Sequence, residues 1–240
     1  MYKYLKNMYR HQSFFPEFLG MFTNPFYFAR KGLYKAIKGF SLDLSGRLLD
    51  VGCGSRPYSK LFFVKEYTGL EIDSSETRAR GIADFYYNGT TFPFKDGHFD
   101  SVLCNQVFEH VFNPDLFMDE VSRVLKPGGK LLLSAPFLWD EHEQPNDYAR
   151  YSSFALKFIL ERHGFKLIGQ IKTCADATTI FQVINAYLYK IIVKRSAVAQ
   201  FILTVTVIAI INIAGLIIGK LLPKNPDLYL DNVVLAEKIS

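Results

Sequence analysis

The stretch Leu48–Pro57, LLDVGCGSRP, constrains the fold more than any other part of the sequence. The run LLDV predicts a strand, and Gly52 and Gly54 follow it in a turn. Glycine permits close backbone approach, and the N–H groups of such a turn point inward. A strand that enters a glycine-rich turn at the start of a helix therefore forms a pocket for an adenosine-bearing ligand. We expect that helix to begin within Tyr58–Phe63.

Two further features narrow the ligand class. The dinucleotide-binding fingerprint would place a third glycine where Pro57 stands, and it usually has no acid at the position of Asp50, so a nicotinamide enzyme is disfavoured. About one strand later, EYTGLEIDSS predicts a second strand with Glu71 near its carboxyl end. A carboxylate there can accept both hydroxyl protons of a ribose. Taken alone, either signal also fits a turn that binds nothing or a solvated charge at a strand end.

Composition sets the broad class of protein. A chain of 240 residues suits one α/β domain with an addition, and the net charge of +5 comes from scattered basic residues. This favours an anionic surface or substrate as partner, and we do not expect nucleic acid. The three cysteines, Cys53, Cys104 and Cys174, show no paired spacing, so the sequence predicts neither a disulfide framework nor a zinc site.

The order of the predicted elements indicates an α/β fold. Five strands alternate with helices, and HGFKLIGQIKT and DLYLDNVVLAEKIS predict two late strands. We expect a Rossmann-like, doubly wound, seven-stranded sheet, parallel with an antiparallel edge strand, and an apolar helical insertion between strands six and seven. The predicted divisions are an aromatic and basic arm with a helix from about Pro25 to Ile37 (1–45), a core (46–175), the insertion (176–224) and the final strand (225–240).

The series LDVGCG, GLEID, FPFKDGHFD, EHV and RVLKPGG resembles, in this order, the class I S-adenosylmethionine-dependent methyltransferases of the methyltransferase type 11-like group. The resemblance runs from about Gly46 to Gly169, with the final strand in addition. It implies a seven-stranded sheet and S-adenosylmethionine as the methyl donor. The positions that it assigns to cofactor binding are Asp50, Gly52, Cys53, Gly54, Glu71, Ile72, Asn88, Gly89, Asn105 and Gln106.

The resemblance also implies individual roles. Asp50 and the two glycines of the turn would face the methionine part of the cofactor, Glu71 would hold the ribose, and Ile72 would lie beside the adenine. Asn105 and Gln106 would lie next to the sulfonium. Asn88 departs from the family pattern, which often has an aspartate near the adenine amine, although its amide oxygen could accept the same hydrogen bond.

The chemistry of methyl transfer needs few diagnostic residues. A sulfonium is already an activated electrophile, so the enzyme must align a nucleophile and exclude water, and no metal is required. An oxygen nucleophile also needs a general base. We predict His142, in the loop after strand five, because its reference pKa lies nearest neutrality. The same loop supplies candidates for substrate binding: Glu143, Asp147, Tyr148, Arg150 and Tyr151.

For three residues of this region, an interpretation without a catalytic or binding role stays open. His142 could be a solvated loop histidine, and Arg150 could pin the loop to an acidic neighbour instead of clamping a phosphate or carboxylate. His110 could be structural, since it begins a helix after strand four.

The insertion between strands six and seven is unusually apolar. No charged residue occurs from Ser196 to Gly219, which as a helix would be long enough to cross a bilayer core of about 30 Å. Thr178–Val193 precedes it with apolar residues at helical spacing. A two-span hairpin would carry Lys194 and Arg195 to the far side, and its first pass would contain Lys190, which the positive-inside tendency disfavours.

We therefore expect 178–222 to form a helical hairpin in the cytoplasmic leaflet, with its basic residues toward anionic headgroups. The alternatives are a homodimer interface, a cover over the substrate mouth, and a true membrane span. The sequence thus predicts a cytoplasmic methyltransferase at the inner face of the membrane, with a small-molecule or lipid-linked acceptor such as a saccharide. The alternative function is a non-catalytic cofactor-binding or scaffold subunit that recruits a partner through its insertion.

Overall fold

The computed structural model describes residues 8, 10–193 and 196–239. These residues form two units. The sheet unit is drawn from 36–137, 141–171 and the described residues from 232 onward. The helical unit is drawn from the described residues up to 35, from 138–140 and from 172–231, with 194 and 195 excepted.

Seven strands form one sheet in the order β3-β2-β1-β4-β5-β7-β6. The strands are β1 (Arg47–Val51), β2 (Glu66–Ile72), β3 (Phe85–Tyr87), β4 (Phe99–Asn105), β5 (Leu125–Pro136), β6 (Phe165–Lys172) and β7 (Asp231–Lys238). β1 pairs in parallel with β2 and β4, β2 pairs in parallel with β3, and β4 pairs in parallel with β5. The α/β class and the seven-stranded Rossmann-like sheet are therefore confirmed.

The last strand runs against its neighbour β6. Ile239 N donates to Gly164 O at 2.9 Å, and Gln170 Nε2 donates to Asn232 Oδ1 at 3.3 Å, so β6 and β7 approach in opposite directions. This antiparallel strand lies between β5 and β6, and β6 forms the edge of the sheet. In the parallel part, Val51 is level with Leu70 and Cys104, so β1, β2 and β4 end side by side. Ligands of α/β sheets bind at such an edge.

The helices after residue 19 are α1 (Gly20–Thr23), α2 (Tyr27–Phe40), α3 (Ser75–Arg80), α4 (Pro114–Val124), α5 (Ser153–Arg162), α6 (Thr178–Val193), α7 (Ala197–Leu203) and α8 (Ala209–Leu221). Several of these helices have a polar N-cap residue, whose side chain accepts a hydrogen bond from a backbone N–H group of the first turn. Asn113 accepts from Leu116 N, and Ser152 accepts from Ala155 N. The helix predicted after Ser152 is confirmed, and α2 starts two residues later and ends three residues later than the predicted Pro25–Ile37.

One predicted helix is wrong. Tyr58–Phe63 contains only a 3-10 turn, Ser59–Leu61, and the backbone is extended again at Phe62. Tyr58 and Phe62 are both buried, and Lys65 N already donates to Gly46 O at the start of β1. The chain must therefore return to the beginning of the sheet within a few residues, which leaves no room for a helix.

The helical unit contains a buried polar network. Gln182, on α6, accepts from the backbone N–H groups of Phe28 and Ala29 and donates to Pro25 O. Asn185 Nδ2 donates to Asn212 Oδ1 at 2.8 Å, which joins α6 to α8. Because a buried amide needs such partners, these contacts fix which faces of the helices point inward.

The apolar segment is one continuous helical stretch. α7 passes through a π-helical turn, Thr204–Ile208, directly into α8. Val198–Leu221 is the one helix in the described part of the chain that is long and apolar enough to cross a membrane. A Cβ at Gly215 would lie 2.7 Å from Phe28 Cζ, so one side is closely packed. The basic pair Lys194 and Arg195, which was expected to face headgroups, lies outside the described residues.

Candidate active site

The turn after β1 uses its two glycines for different purposes. Gly52 and Gly54 have φ values of +66° and +49°, which favour glycine. A Cβ added at Gly52 would lie 2.3 Å from Val107 Cγ2, so close packing requires the bare backbone there. A Cβ added at Gly54 would meet no atom within 4 Å. Gly54 therefore borders open space in which a ligand can approach the backbone.

The middle of the turn is anchored to β2. Gly52 N and Cys53 N both donate to Leu70 O, at 2.9 and 3.2 Å. The Cys53 side chain is buried, and burial raises the pKa of its thiol to about 12. Cys53 therefore lies in the turn as a neutral side chain, and its backbone N–H is already engaged.

Glu71 reaches from the end of β2 back to the glycine turn. Its Oε2 accepts a hydrogen bond from Gly54 N at 2.9 Å. A carboxylate has about four acceptor sites, so the hydroxyls of a sugar can bind to it as well. Ile72 beside it is 46% exposed, and a Cβ at Gly89 would contact Ile72 Cδ1 at 3.7 Å. The structure thus brings these four predicted cofactor residues to one edge of the sheet.

Asp50 is a buried carboxyl at the same edge. It is 4% exposed, and Tyr67 Oη donates to its Oδ2 at 2.5 Å. Burial raises the pKa of Asp50 to about 7, although Tyr67 and the Arg56 guanidinium both act to lower it. The carboxyl is therefore poised between neutral and ionised forms near neutral pH, beside the turn.

The sequence prediction missed an ion pair that supports this turn. Arg56 Nη2 donates to Asp84 Oδ2 at 2.7 Å, and Gly69 N donates to the same oxygen at 2.7 Å. A Cβ at Gly69 would lie 2.6 Å from Arg56 Nη2, so the guanidinium rests directly on the β2 backbone. Arg56 itself has a φ of +52°, in the left-handed region. No local pattern marks a contact between residues 28 positions apart.

Asn88 organises its own turn. Its Oδ1 accepts hydrogen bonds from Thr90 N, Thr90 Oγ1 and Thr91 N, at 2.9 to 3.0 Å. The predicted bond from an adenine amine to this oxygen would have to compete with three existing donors. The role of Asn88 in cofactor binding stays a prediction.

The end of β4 is tied to β5 through Ser134. Ser134 Oγ donates to Asn105 Oδ1 at 2.8 Å, and Gln106 N donates to Ser134 O at 3.1 Å. Gln106 has a φ of +55°, an uncommon conformation that often occurs at functional sites. The two residues predicted to face the sulfonium therefore lie together at the carboxyl end of the strand.

The loop after β5 holds His142 in a fixed orientation. His142 N donates to Asp147 Oδ2 at 2.9 Å, and His142 Nδ1 lies 3.2 Å from the same oxygen. Arg150 binds Asp147 with both terminal nitrogens, at 2.6 and 2.7 Å, and this pairing lowers the pKa of the Asp147 carboxyl. Asp147 thus orients the imidazole, and Arg150 pins the loop to an acidic neighbour, as the alternative interpretation held.

Two residues near His142, Glu109 and His110, were given no catalytic or binding role in the sequence prediction. Glu109, whose side chain is fully buried, has its Oε1 3.9 Å from His142 Nε2 and 3.8 Å from His110 Nε2. The rings of His110 and His142 are 4.8 Å apart between centroids, in an edge-to-face arrangement. The EHV motif and the β5 loop therefore converge, although 32 positions separate His110 from His142.

The remaining predicted substrate residues differ in their exposure. Tyr148 is 46% exposed and its ring packs edge-on against Phe112. Glu143, with a side chain 77% exposed, has its Oε2 3.9 Å from His110 Nε2. Tyr151 is buried and its ring stacks on Phe108, in the 3-10 turn Phe108–His110 that follows β4. Tyr151 thus packs in the core, and its role in substrate binding stays a prediction.

Comparison with known proteins identifies the fold family. The family model described as "Methyltransferase domain" matches residues 49–133. A Methanocaldococcus jannaschii protein, "Uncharacterized protein MJ1123", is 30% identical over 149 residues, which cover 58% of this chain and 71% of that protein. The chain belongs to the class I S-adenosylmethionine-dependent methyltransferases. The family resemblance and the cofactor predicted from the sequence, S-adenosylmethionine, are confirmed.

Among curated relatives of this methyltransferase, the "Ubiquinone biosynthesis O-methyltransferase" of Xanthomonas oryzae pv. oryzae is 35% identical over 112 residues. The match covers 39% of this chain and 44% of that protein. An S-adenosylmethionine-dependent methyltransferase from Mesorhizobium loti shares the fold with a TM-score of 0.53 at 14% identity, over 88% of this chain and 99% of that one. The [4+2]-cyclase SpnF also shares it, with a TM-score of 0.52 at 21% identity, over 84% and 78%. The fold alone therefore does not fix the reaction.

The described residues of the methyltransferase fit its cofactor. The open space at Gly54, the carboxylate of Glu71 and the exposed side chain of Ile72 lie along one edge and suit the methionine, ribose and adenine parts in turn. Asn105 and Gln106 complete the edge at the end of β4. These residues would hold the cofactor, which supplies an activated methyl group.

Proposed function

We propose that the protein transfers a methyl group from S-adenosylmethionine to an oxygen atom of a small or lipid-linked acceptor, such as a saccharide. The observation that carries the proposal is the open space at Gly54, bordered by the carboxylate of Glu71. The relative named as an O-methyltransferase supports oxygen as the acceptor atom.

His142 removes the acceptor proton in this proposal. A carboxylate accepts hydrogen bonds, so Asp147 Oδ2 places the imidazole proton on Nδ1 and leaves the lone pair on Nε2. Nε2 takes the hydroxyl proton, and the acceptor oxygen then attacks the methyl carbon while the electron pair of the broken C–S bond stays on sulfur. Asp147 keeps the imidazole in this tautomer, and its part-buried pairing with Arg150 keeps Asp147 in place.

The helical unit supports contact with a membrane surface. Large apolar side chains on the α7–α8 stretch are strongly exposed: Val198, Phe201, Ile202, Ile210, Ile217 and Leu221. Only 28% of the most apolar part of the stretch is buried. Since monomeric soluble proteins rarely expose contiguous apolar patches of this kind, we assign this face to the inner leaflet. A homodimer through the same face is the alternative occupant.

The helical unit contains a cavity that suits a ligand with an apolar part. It has a volume of about 430 Å³ and is lined by Trp139, Val183 and Tyr187 among others. Lys190 Nζ lies 2.7 Å from Asp140 Oδ2, and both residues line the cavity. An apolar wall with one ion pair suits a molecule that is apolar over most of its length and polar at one end.

Binding of labelled S-adenosylmethionine tests the cofactor site. We expect Glu71→Ala to weaken binding ~10- to 100-fold, because hydrogen bonds to a charged group contribute about 1.5–3 kcal/mol each. Glu76→Ala is the matched control, since Glu76 lies on α3 and pairs with Arg80 at the surface. Equal binding by all three proteins would show that Glu71 does not hold the ribose.

Transfer itself is tested with labelled cofactor and a detergent-solubilised lipid extract. We expect label in an extractable product with the wild type and a large loss with His142→Asn. Cofactor binding without any labelled product, in lipid extracts or in a screen of soluble hydroxyl compounds, would favour the scaffold function over the enzyme.

A further inference from the structure

Three side chains that could bind a metal ion lie close together, and one of them is the predicted catalytic histidine. Glu109 and His110 lie in the 3-10 turn Phe108–His110 after β4, and His142 lies in the loop after β5. One ligand atom from each of the three lies within 4.8 Å of the other two. The Nε2 atoms of both histidines are 3.8 and 3.9 Å from Glu109 Oε1, which is too far for a direct hydrogen bond.

The Nδ1 atom of each imidazole faces a hydrogen-bond acceptor, which decides where the ring proton lies. His110 Nδ1 lies 2.6 Å from Asn146 O, and a carbonyl oxygen only accepts, so Nδ1 carries the proton. His142 Nδ1 lies 3.2 Å from Asp147 Oδ2, a carboxylate held by Arg150. Both lone pairs therefore lie on Nε2, on the side that faces Glu109. Metal-ligating histidines are oriented in this way, by a carbonyl or carboxylate on the other nitrogen.

We propose that Glu109, His110 and His142 bind one divalent transition-metal ion, with zinc as the reference ion, through Glu109 Oε1 and the two Nε2 atoms. Two neutral imidazoles and a carboxylate suit zinc or its first-row neighbours better than magnesium or calcium, which take mainly oxygen ligands. A tetrahedral zinc site has ligand atoms ~3.3 Å apart, so the three groups, which lie within 4.8 Å of one another, close by at most ~1.5 Å to reach it. Side-chain torsions of the two histidines provide this adjustment.

Three protein ligands leave the fourth position open, which is the arrangement of catalytic sites. This part of the inference rests on the proposed methyl transfer. An acceptor hydroxyl binds at the open position, the ion lowers its pKa, and its proton leaves to solvent. The oxygen lone pair then forms the O–CH₃ bond as the C–S bond breaks and its electron pair stays on sulfur. In the metal-bound protein His142 is a ligand, and the ion replaces it in activating the hydroxyl.

Metal binding is measured on the whole 240-residue chain after it has been treated with a chelator and the chelator has been removed. Zn²⁺, Mn²⁺ and Mg²⁺ are titrated separately by calorimetry, and the bound metal is counted by mass spectrometry. We expect one equivalent of Zn²⁺ with the wild type and with His11→Asn, an exposed histidine far along the chain from the site. Glu109→Gln, His110→Asn and His142→Asn each weaken Zn²⁺ binding by ~100-fold or more.

Thermal melting of every variant checks that the variant is folded. His110→Asn is the informative variant if Glu109→Gln fails to fold, because the His110 side chain is 16% exposed whereas that of Glu109 is fully buried. Zinc should raise the melting temperature of the wild type and of His11→Asn, and leave that of His110→Asn unchanged. Equal zinc affinity in the wild type and His110→Asn, or binding of no equivalent by the wild type, would overturn the metal site.

The two proposals fail in different ways. Cofactor binding measured in the presence of chelator reports only on the site at Gly54 and Glu71. Methyl transfer that continues at full rate with chelator would overturn the role of the ion and leave the proposed function standing. Zinc binding that is lost in the three ligand variants, in a protein that binds no S-adenosylmethionine, would support the metal site and reject the methyltransferase.

Discussion

Two aspartates behave in opposite ways at the two ends of the proposed site. Asp50, beside the glycine turn, is 4% exposed and bonded to the neutral hydroxyl of Tyr67. The side chain of Asp147, in the loop after β5, is 3% exposed and bonded to both terminal nitrogens of Arg150. The pKa of Asp50 is raised to about 7, whereas that of Asp147 is lowered. Burial decides the stable form of the carboxyl at Asp50, whereas the charged partner Arg150 decides it at Asp147.

The largest expected effect is on the pH dependence of stability at the cofactor end. Asp50 is protonated in the folded protein up to about pH 7, but ionises near pH 3.8 when unfolded. Its stabilising effect is therefore complete below pH 3.8 and is lost as the pH rises to about 7. Relative to Asp50→Asn, the free energy of unfolding of the wild type should fall by up to about 4 kcal/mol across this window. Chemical denaturation between pH 4 and 8 measures it.

The control for this measurement is Asp43→Asn, since Asp43 is exposed at the end of the 3-10 turn after α2. Its stability should run parallel to that of the wild type at every pH. Parallel curves for the wild type and Asp50→Asn would mean that Asp50 is ionised in the folded protein, and the contrast with Asp147 would disappear.

Asp147 should show the opposite sign. Its folded pKa lies below the unfolded value of 3.8, so its stabilising effect is present above that pH and is lost as the pH falls below it. Asp147→Asn should cost about 1.5–3 kcal/mol at neutral pH, because it leaves Arg150 without its charged partner. The difference between the two proteins should stay constant from pH 5 to 8 and shrink in acid. A difference that grows in acid would refute the assignment.

The two ends of the proposed site also differ in how well the sequence predicts them. At the proposed cofactor end, the turn, its two glycines and Glu71 lie within one strand-turn-strand segment, so local pattern was enough to predict that they lie together. The helix predicted at Tyr58–Phe63 failed because a buried, short return to β2 overrides helical spacing. The strand order also could not show that β7 inserts between β5 and β6.

At the acceptor end, the decisive contacts join residues far apart in the chain. His142 and Asp147 are close in sequence, but Glu109 and His110 reach them only after β4 and β5 pair. His110 was considered structural because a helix was expected to begin there, but it ends the 3-10 turn Phe108–His110. Arg56 and Asp84 were missed because their contact joins residues far apart in the chain. Side chains that meet across strands become visible only with the sheet.

A third prediction tests whether the open space at Gly54 is a binding site or only a consequence of the turn. Gly54 and Gly128 both have positive φ, +49° and +76°, and a Cβ at either would meet no atom within 4 Å. Alanine therefore introduces similar backbone strain at both positions. We expect Gly54→Ala to weaken S-adenosylmethionine binding ~10- to 100-fold, and Gly128→Ala to leave it unchanged. Equal losses would assign the effect to strain and remove the cofactor from this edge.

The smallest expected effect is on membrane partitioning, and it compares two exposed apolar side chains in different surroundings. Ile210 is 67% exposed among other exposed apolar residues of the α7–α8 stretch, whereas Leu42 is 80% exposed in the sheet unit. If the stretch lies in a lipid headgroup layer, Ile210→Lys should lower the partitioning of the protein onto vesicles that contain anionic phosphatidylglycerol. We expect a loss of ~5- to 10-fold, because about 1–1.5 kcal/mol of apolar burial is lost. Leu42→Lys should not change it. Cosedimentation measures both, and cofactor binding confirms that each variant is folded. Equal partitioning of Ile210→Lys and the wild type, with a change of oligomeric state in Ile210→Lys, would assign the face to a second copy of the chain instead of a membrane.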